Sequence, residues 1–85
     1  MRYSLYLEPE VGKKFKYILE IAGMLNFHKA RNWLTDTYGP CEPLAHGDKV
    51  DNKHWTYQIV YDHYVIRIFD DEELSWFKLK YGEPN

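Results

Sequence analysis

Eighty-five residues with a formal charge of −2 and a single cysteine make one small domain without an internal disulfide. No apolar run approaches the length of a membrane span, and the mild negative charge disfavours non-specific binding to polyanions. The one cysteine, Cys41, and an amino terminus without a signal-like apolar stretch lead us to expect a cytoplasmic protein, where thiols stay reduced.

Aromatic residues make up 18% of the chain, and many recur at every second position, as side chains on one face of a strand do. Residues 2–7 read as a short strand with Tyr3, Leu5 and Leu7 on one side and Ser4 and Tyr6 on the other. Glu8-Pro9-Glu10-Val11-Gly12 stops it, because proline cannot donate to a ladder and glycine permits the turn, so a hairpin is expected. Residues 14–22 match both a helical and a strand period. The β-branched and aromatic content and the stop at Gly23 favour a strand carrying Phe15, Tyr17, Leu19 and Ile21 on one face.

Residues 27–38 form a predicted helix, with Asn26 as the capping residue, Phe27, Ala30 and Leu34 on one stripe, and Gly39-Pro40 as the stop. Residues 40–53 have no period, and their prolines, glycine and charges read as a long loop. Long loops often carry function, so this one is a candidate site. Trp55, Tyr57, Ile59 and Tyr61 then alternate with polar or smaller residues. A turn at Asp62-His63 leads into a strand in which Tyr64, Ile66 and Ile68 alternate with Val65, Arg67 and Phe69. Acids at 70–73 followed by Lys78 and Lys80 have the charge order of a helix, expected over 71–78. The order β-β-α-β-β-α predicts an α+β fold: an antiparallel four-stranded sheet with two helices packed on one face.

Strand parity divides the candidate core from a candidate binding face. Leu5, Phe15, Tyr17, Leu19, Trp55, Tyr57, Ile59, Ile66 and Ile68 fall on the side the helices would cover. Tyr6, Lys14, Lys16, Ile18, Glu20, Thr56, Gln58, Val60, Val65, Arg67 and Phe69 fall on the other. Trp55, Tyr57 and Tyr61 are thus expected to govern stability, and Tyr6 and Phe69 binding. Rings and aliphatics beside a few bases suit an interaction surface, and Tyr6, Lys14, Lys16, Gln58, Arg67 and Phe69 are its predicted contact residues. A protein partner is the preferred occupant, either a foreign protein or a second copy. A single-stranded nucleic acid stacked on the same face is the alternative, weakened by Glu20, by the net charge and by the lack of a glycine-aromatic RNA-reader motif.

Other chemistry finds little footing. Cys41, His46, His54 and His63 have no familiar zinc spacing, and His54 and His63 bracket a strand, which sets them roughly 30 Å apart. The carboxylates at 8 and 10, 48 and 51, and 70–73 read as turn, loop and helix-start residues, and no serine or cysteine has a nucleophile's context. No cofactor, no metal and no catalytic activity are expected.

Arg31-Asn32-Trp33-Leu34-Thr35-Asp36-Thr37-Tyr38-Gly39-Pro40, then Asn52-Lys53-His54-Trp55, then Trp76-Phe77-Lys78-Leu79-Lys80-Tyr81-Gly82 resemble small uncharacterised accessory proteins of tailed bacteriophages. The shared pattern is a Trp-bearing helix ending at Gly-Pro, an aromatic strand pair, and acids leading into an aromatic-basic stretch, Phe77-Lys78-Leu79-Lys80-Tyr81. It spans about half the chain and brings no catalytic residues. The resemblance implies a phage accessory protein in the cytoplasm of a bacterial host, acting on a host enzyme or defence component by binding it.

Overall fold

A computed structural model describes residues 1–8, 15–41 and 52–85. The elements run β1 (Tyr3–Leu7), β2 (Tyr17–Ile21), α1 (Met24–Tyr38), β3 (Trp55–Val60), β4 (His63–Ile68) and α2 (Asp71–Tyr81). The strands form one antiparallel sheet in the order β1-β2-β4-β3, so the expected α+β architecture is the observed one. The segment with two competing periods is a strand. The hairpin turn over 9–12, Lys14 and most of the long loop (42–51) lie outside the described residues.

Register carries the parity argument across the whole sheet. Leu5, Leu19, Ile66 and Tyr57 form one transverse row, and Leu7, Tyr17, Ile68 and Trp55 the next. Both rows face the helices. Leu19, Ile66, Ile68 and Trp55 are buried there with Tyr3 and Ile21 against Phe27, Ala30 and Leu34 of α1 and Leu74 and Phe77 of α2. The rings meet edge to face: Tyr3 on Phe77 at 5.1 Å, and Trp33 on Phe77 and Tyr81 at 6.0 Å each. Trp33 therefore joins the two helices, and the quadrupoles of the rings favour this geometry over a flat stack.

Several expectations need correction. Helix α1 starts at Met24, not Phe27. Gly23, at φ 92°, turns the chain out of β2 in a conformation that a side chain would oppose, and its carbonyl accepts the first helical bond from Phe27. Asn26 is consequently inside the first turn, where its side-chain amide donates to the Ala22 carbonyl. Helix α2 extends to Tyr81, because Phe77 and Tyr81 share the stripe that packs on Trp33 and the stop comes at Gly82.

The β3–β4 turn is Tyr61-Asp62, one residue earlier than predicted, with Tyr61 at φ 55°. A positive φ at that position matches the twist of a two-residue hairpin and throws the Tyr61 ring outward, 93% exposed, so it has no part in the core. Ile59 is 51% exposed although its parity is inward, since β3 is an edge strand and Ile59 lies near its end. Thr56 departs in the opposite sense: it lies on the face away from the helices, yet it is buried.

Candidate functional site

The face away from the helices is built from rows that cross all four strands. One holds Tyr6, Ile18, Arg67 and Thr56, and its neighbour holds Ser4, Glu20, Val65 and Gln58. Tyr6 and Phe69 are exposed, and Ile18, Gln58, Val65 and Arg67 are partly covered. Five of the six predicted contact residues are placed by the structure. Tyr6, Gln58 and Arg67 fall in adjacent rows, and Phe69 and Lys16 follow at the end of β4 and the start of β2. Lys14, the sixth, lies outside the described residues.

The charges of this face are spent within the chain. Arg67 donates from Nη1 to the Gln58 amide oxygen at 2.7 Å and from Nε to the Glu8 carboxylate at 3.4 Å. The Lys16 ammonium reaches Asp71 at 3.4 Å and Asp70 at 3.7 Å. His63 Nδ1 meets Glu20 at 2.6 Å. The Tyr17 hydroxyl also donates to Asp71, and this bond, followed by the Lys16 ammonium, holds the Asp71 carboxyl below its ordinary value of 3.8. The same bond raises the Tyr17 phenol, and the Asp71 bond raises Lys16. Of the three predicted bases, the two described ones, Lys16 and Arg67, are thus already committed, a point parity could not reveal because Glu8 and Asp71 are brought in by distant segments.

A second constellation sits where β3 begins and α2 starts. Asp70 caps α2: its side chain accepts from Asp71 N–H at 2.8 Å, while Glu73 Oε1 accepts from Asp70 N–H at 3.2 Å in a capping box. The other carboxylate oxygen of Glu73, which is 3% exposed, accepts from His54 Nδ1 at 2.7 Å. With a carboxylate as acceptor, Nδ1 is the donor of this bond.

Asn52 places His54. Its amide donates to the Tyr38 and Gly39 carbonyls at 2.9 and 3.1 Å, and its oxygen accepts from His54 N–H at 2.7 Å, which ties the end of α1 to the start of β3. The His54 ring stacks on Tyr38, centroids 4.8 Å apart. Burial, and then the Glu73 and Glu72 carboxylates, push the Tyr38 phenol above its usual range.

Lys53, His54, Phe69, Asp70, Glu72 and Glu73 line an open cleft of about 500 Å³ there. An imidazole oriented by a buried carboxylate has the form of an acid–base pair, but no serine, threonine or cysteine is among those lining residues. Glu73 closes the helix end and fixes the ring of His54. The capping half of this was legible in Asp70-x-x-Glu73, whereas the histidine partner, far off in sequence, left no local signal. Among the described residues no three His, Cys, Asp or Glu side chains converge as a metal site would require, and no helix is long and apolar enough to cross a membrane.

No family model, curated protein or solved structure matches this chain.

Proposed function

We propose that the protein acts by binding another protein through the outer face of its sheet, around Tyr6 and Phe69. The observation that supports this reading is the internal pairing of the face's charges, Arg67 with Glu8, Lys16 with Asp71 and Glu20 with His63, beside rings that stay exposed. A nucleic-acid strand draws its affinity from cations free to replace counterions. Here each described cation of the face would first have to leave a carboxylate. A protein partner needs only the rings, a polar rim and shape. In keeping with the resemblance to phage accessory proteins, the partner is a host enzyme or defence component, met in the bacterial cytoplasm and blocked by occupation.

The double variant Tyr6→Ala/Phe69→Ala tests this by affinity capture from bacterial lysate, with and without nuclease. The expected result is a captured protein that survives nuclease and is lost with the variant, whose circular dichroism stays native. Capture unchanged by the substitutions would refute the assignment of the face. Capture abolished by nuclease, and falling steeply with salt, would replace it with the nucleic-acid reading.

A further inference from the structure

The sheet ends in two edges that the chain treats differently. At β1 the carboxyl-terminal residues fold back: the Asn85 N–H donates to the Tyr3 carbonyl at 2.8 Å, and the Tyr3 hydroxyl donates to the Gly82 carbonyl at 2.5 Å. Strand β3 has no such cover among the described residues. Its two-residue turn makes Val60 and His63 a mutually bonded pair, so residues 56, 58 and 60 aim their backbone groups at β4, a pattern continued by the bond from Phe69 N–H to the His54 carbonyl. Residues 55, 57 and 59 aim theirs outward. The Trp55 N–H is taken by the Asn52 side chain at 3.3 Å. The N–H and C=O groups of Tyr57 and Ile59 are left as the open stretch.

Natural edge strands are usually blunted by charge, proline, a bulge or a covering segment. Trp55-Thr56-Tyr57-Gln58-Ile59-Val60 has no charge, no proline and no bulge, and Ile59 stands half-exposed on it. We propose that this edge pairs antiparallel with β3 of a second copy, about a twofold axis at Gln58, to form one continuous sheet. In that register Tyr57 of each copy lies opposite Ile59 of the other, and each such pair exchanges both its N–H···O=C bonds.

The strand is complementary to itself in every other respect. On the helix face, Tyr57 of one copy meets Ile59 of the other, an aromatic–β-branched pair that favours sheet formation. The Arg31 guanidinium lies over the Tyr57 ring, 4.3 Å from its centroid. On the outer face Gln58 meets Gln58, without the like-charge opposition that a charged strand would set against its own copy. At each rim the same register carries Asp62 of one copy alongside Lys53 and His54 of the other, opposite charges at both ends. A closed twofold contact of this kind also uses up the open β3 edge in both copies, leaving outside the β1 edges, which Asn85 closes at Tyr3.

The test is made on the full chain by sedimentation and by disulfide trapping. Wild-type protein should have twice the mass of the single chain at micromolar concentration, and Ile59→Lys should halve it while circular dichroism stays native. In a Cys41→Ser background, Gln58→Cys places two thiols on a non-hydrogen-bonded pair whose Cα atoms are about 4.5 Å apart, within disulfide reach. It should cross-link under mild oxidation, whereas Val60→Cys, set opposite Thr56, should not. The cysteine pair decides the matter even if Ile59→Lys fails to fold. A wild-type chain that stays monomeric at every concentration overturns the proposal, as does equal trapping at 58 and 60. A β3 edge that pairs only when a foreign protein is bound overturns it as well.

Discussion

The two faces of the sheet solve opposite problems with similar residues. On the helix side, Tyr3, Trp55, Phe27 and Phe77 gain by leaving water, and Tyr3 meets Phe77 of α2 edge to face. On the other side, Tyr6 and Phe69 remain exposed, and order comes from ion pairs and amide contacts around Arg67, Lys16 and Glu20. The lesson is that ring content alone does not locate a core. A ring stabilises where a second layer removes its whole surface from water, and elsewhere it is free to meet a partner.

The sharpest way to break this contrast is to truncate one ring on each side. Phe77→Ala removes a fully buried ring and should cost about 3–5 kcal/mol, read as a fall in denaturation midpoint at constant slope. Phe69→Ala should cost less than about 1 kcal/mol in the same assay, and equal losses would erase the distinction between the faces.

Arg67→Ala is an intermediate case. It strips the Glu8 carboxylate, whose side chain is 11% exposed, of its ion partner and Gln58 of its donor. Leaving such groups unsatisfied should cost about 1–3 kcal/mol, more than an ordinary surface substitution, and that loss would show that the outer face is an ordered network. Tyr3→Phe should cost about 1 kcal/mol at neutral pH. Burial, with Glu83 nearby, raises the Tyr3 phenol from 10.0 to about 12. A raised value contributes stability that is complete below pH 10 and is lost as pH climbs through about 12. The variant should therefore show a shallower alkaline decline than wild type across that interval.

The architecture was legible because period-two alternation survives in Leu19, Trp55, Ile66 and Ile68, each of which is buried where parity puts it. Local chemistry also spoke plainly at Gly39, where α1 stops, and at Asp70-x-x-Glu73, where α2 begins. What could not be read depended on segments meeting from far apart. The bond between His54 and Glu73, the cover over Thr56 and the capture of Arg67 by Glu8 follow from the assembled fold and leave no trace in neighbouring residues. Smaller misreadings arose where one turn residue shifted a boundary. Gly23 moved the start of α1 ahead of Asn26, and the positive φ of Tyr61 moved its ring from the core to solvent. Of the candidate face, the membership of Tyr6, Gln58, Arg67 and Phe69 came from parity, whereas the neutralisation of its bases did not.

The bond between Asn85 and Tyr3 joins the first strand to the last described residues. During synthesis Tyr3 precedes Asn85 by the whole of the sheet and both helices, and its carbonyl receives that partner only after everything between has been made. Helix α1 and the β3–β4 hairpin are closed by nearby sequence and can form as they appear. Strand β1 can pair with β2 early, but Tyr3 stays uncovered until α2 delivers Phe77 and Gly82 to it. The growing chain thus carries Tyr3 open to chaperones and proteases until residues 82–85 close over it.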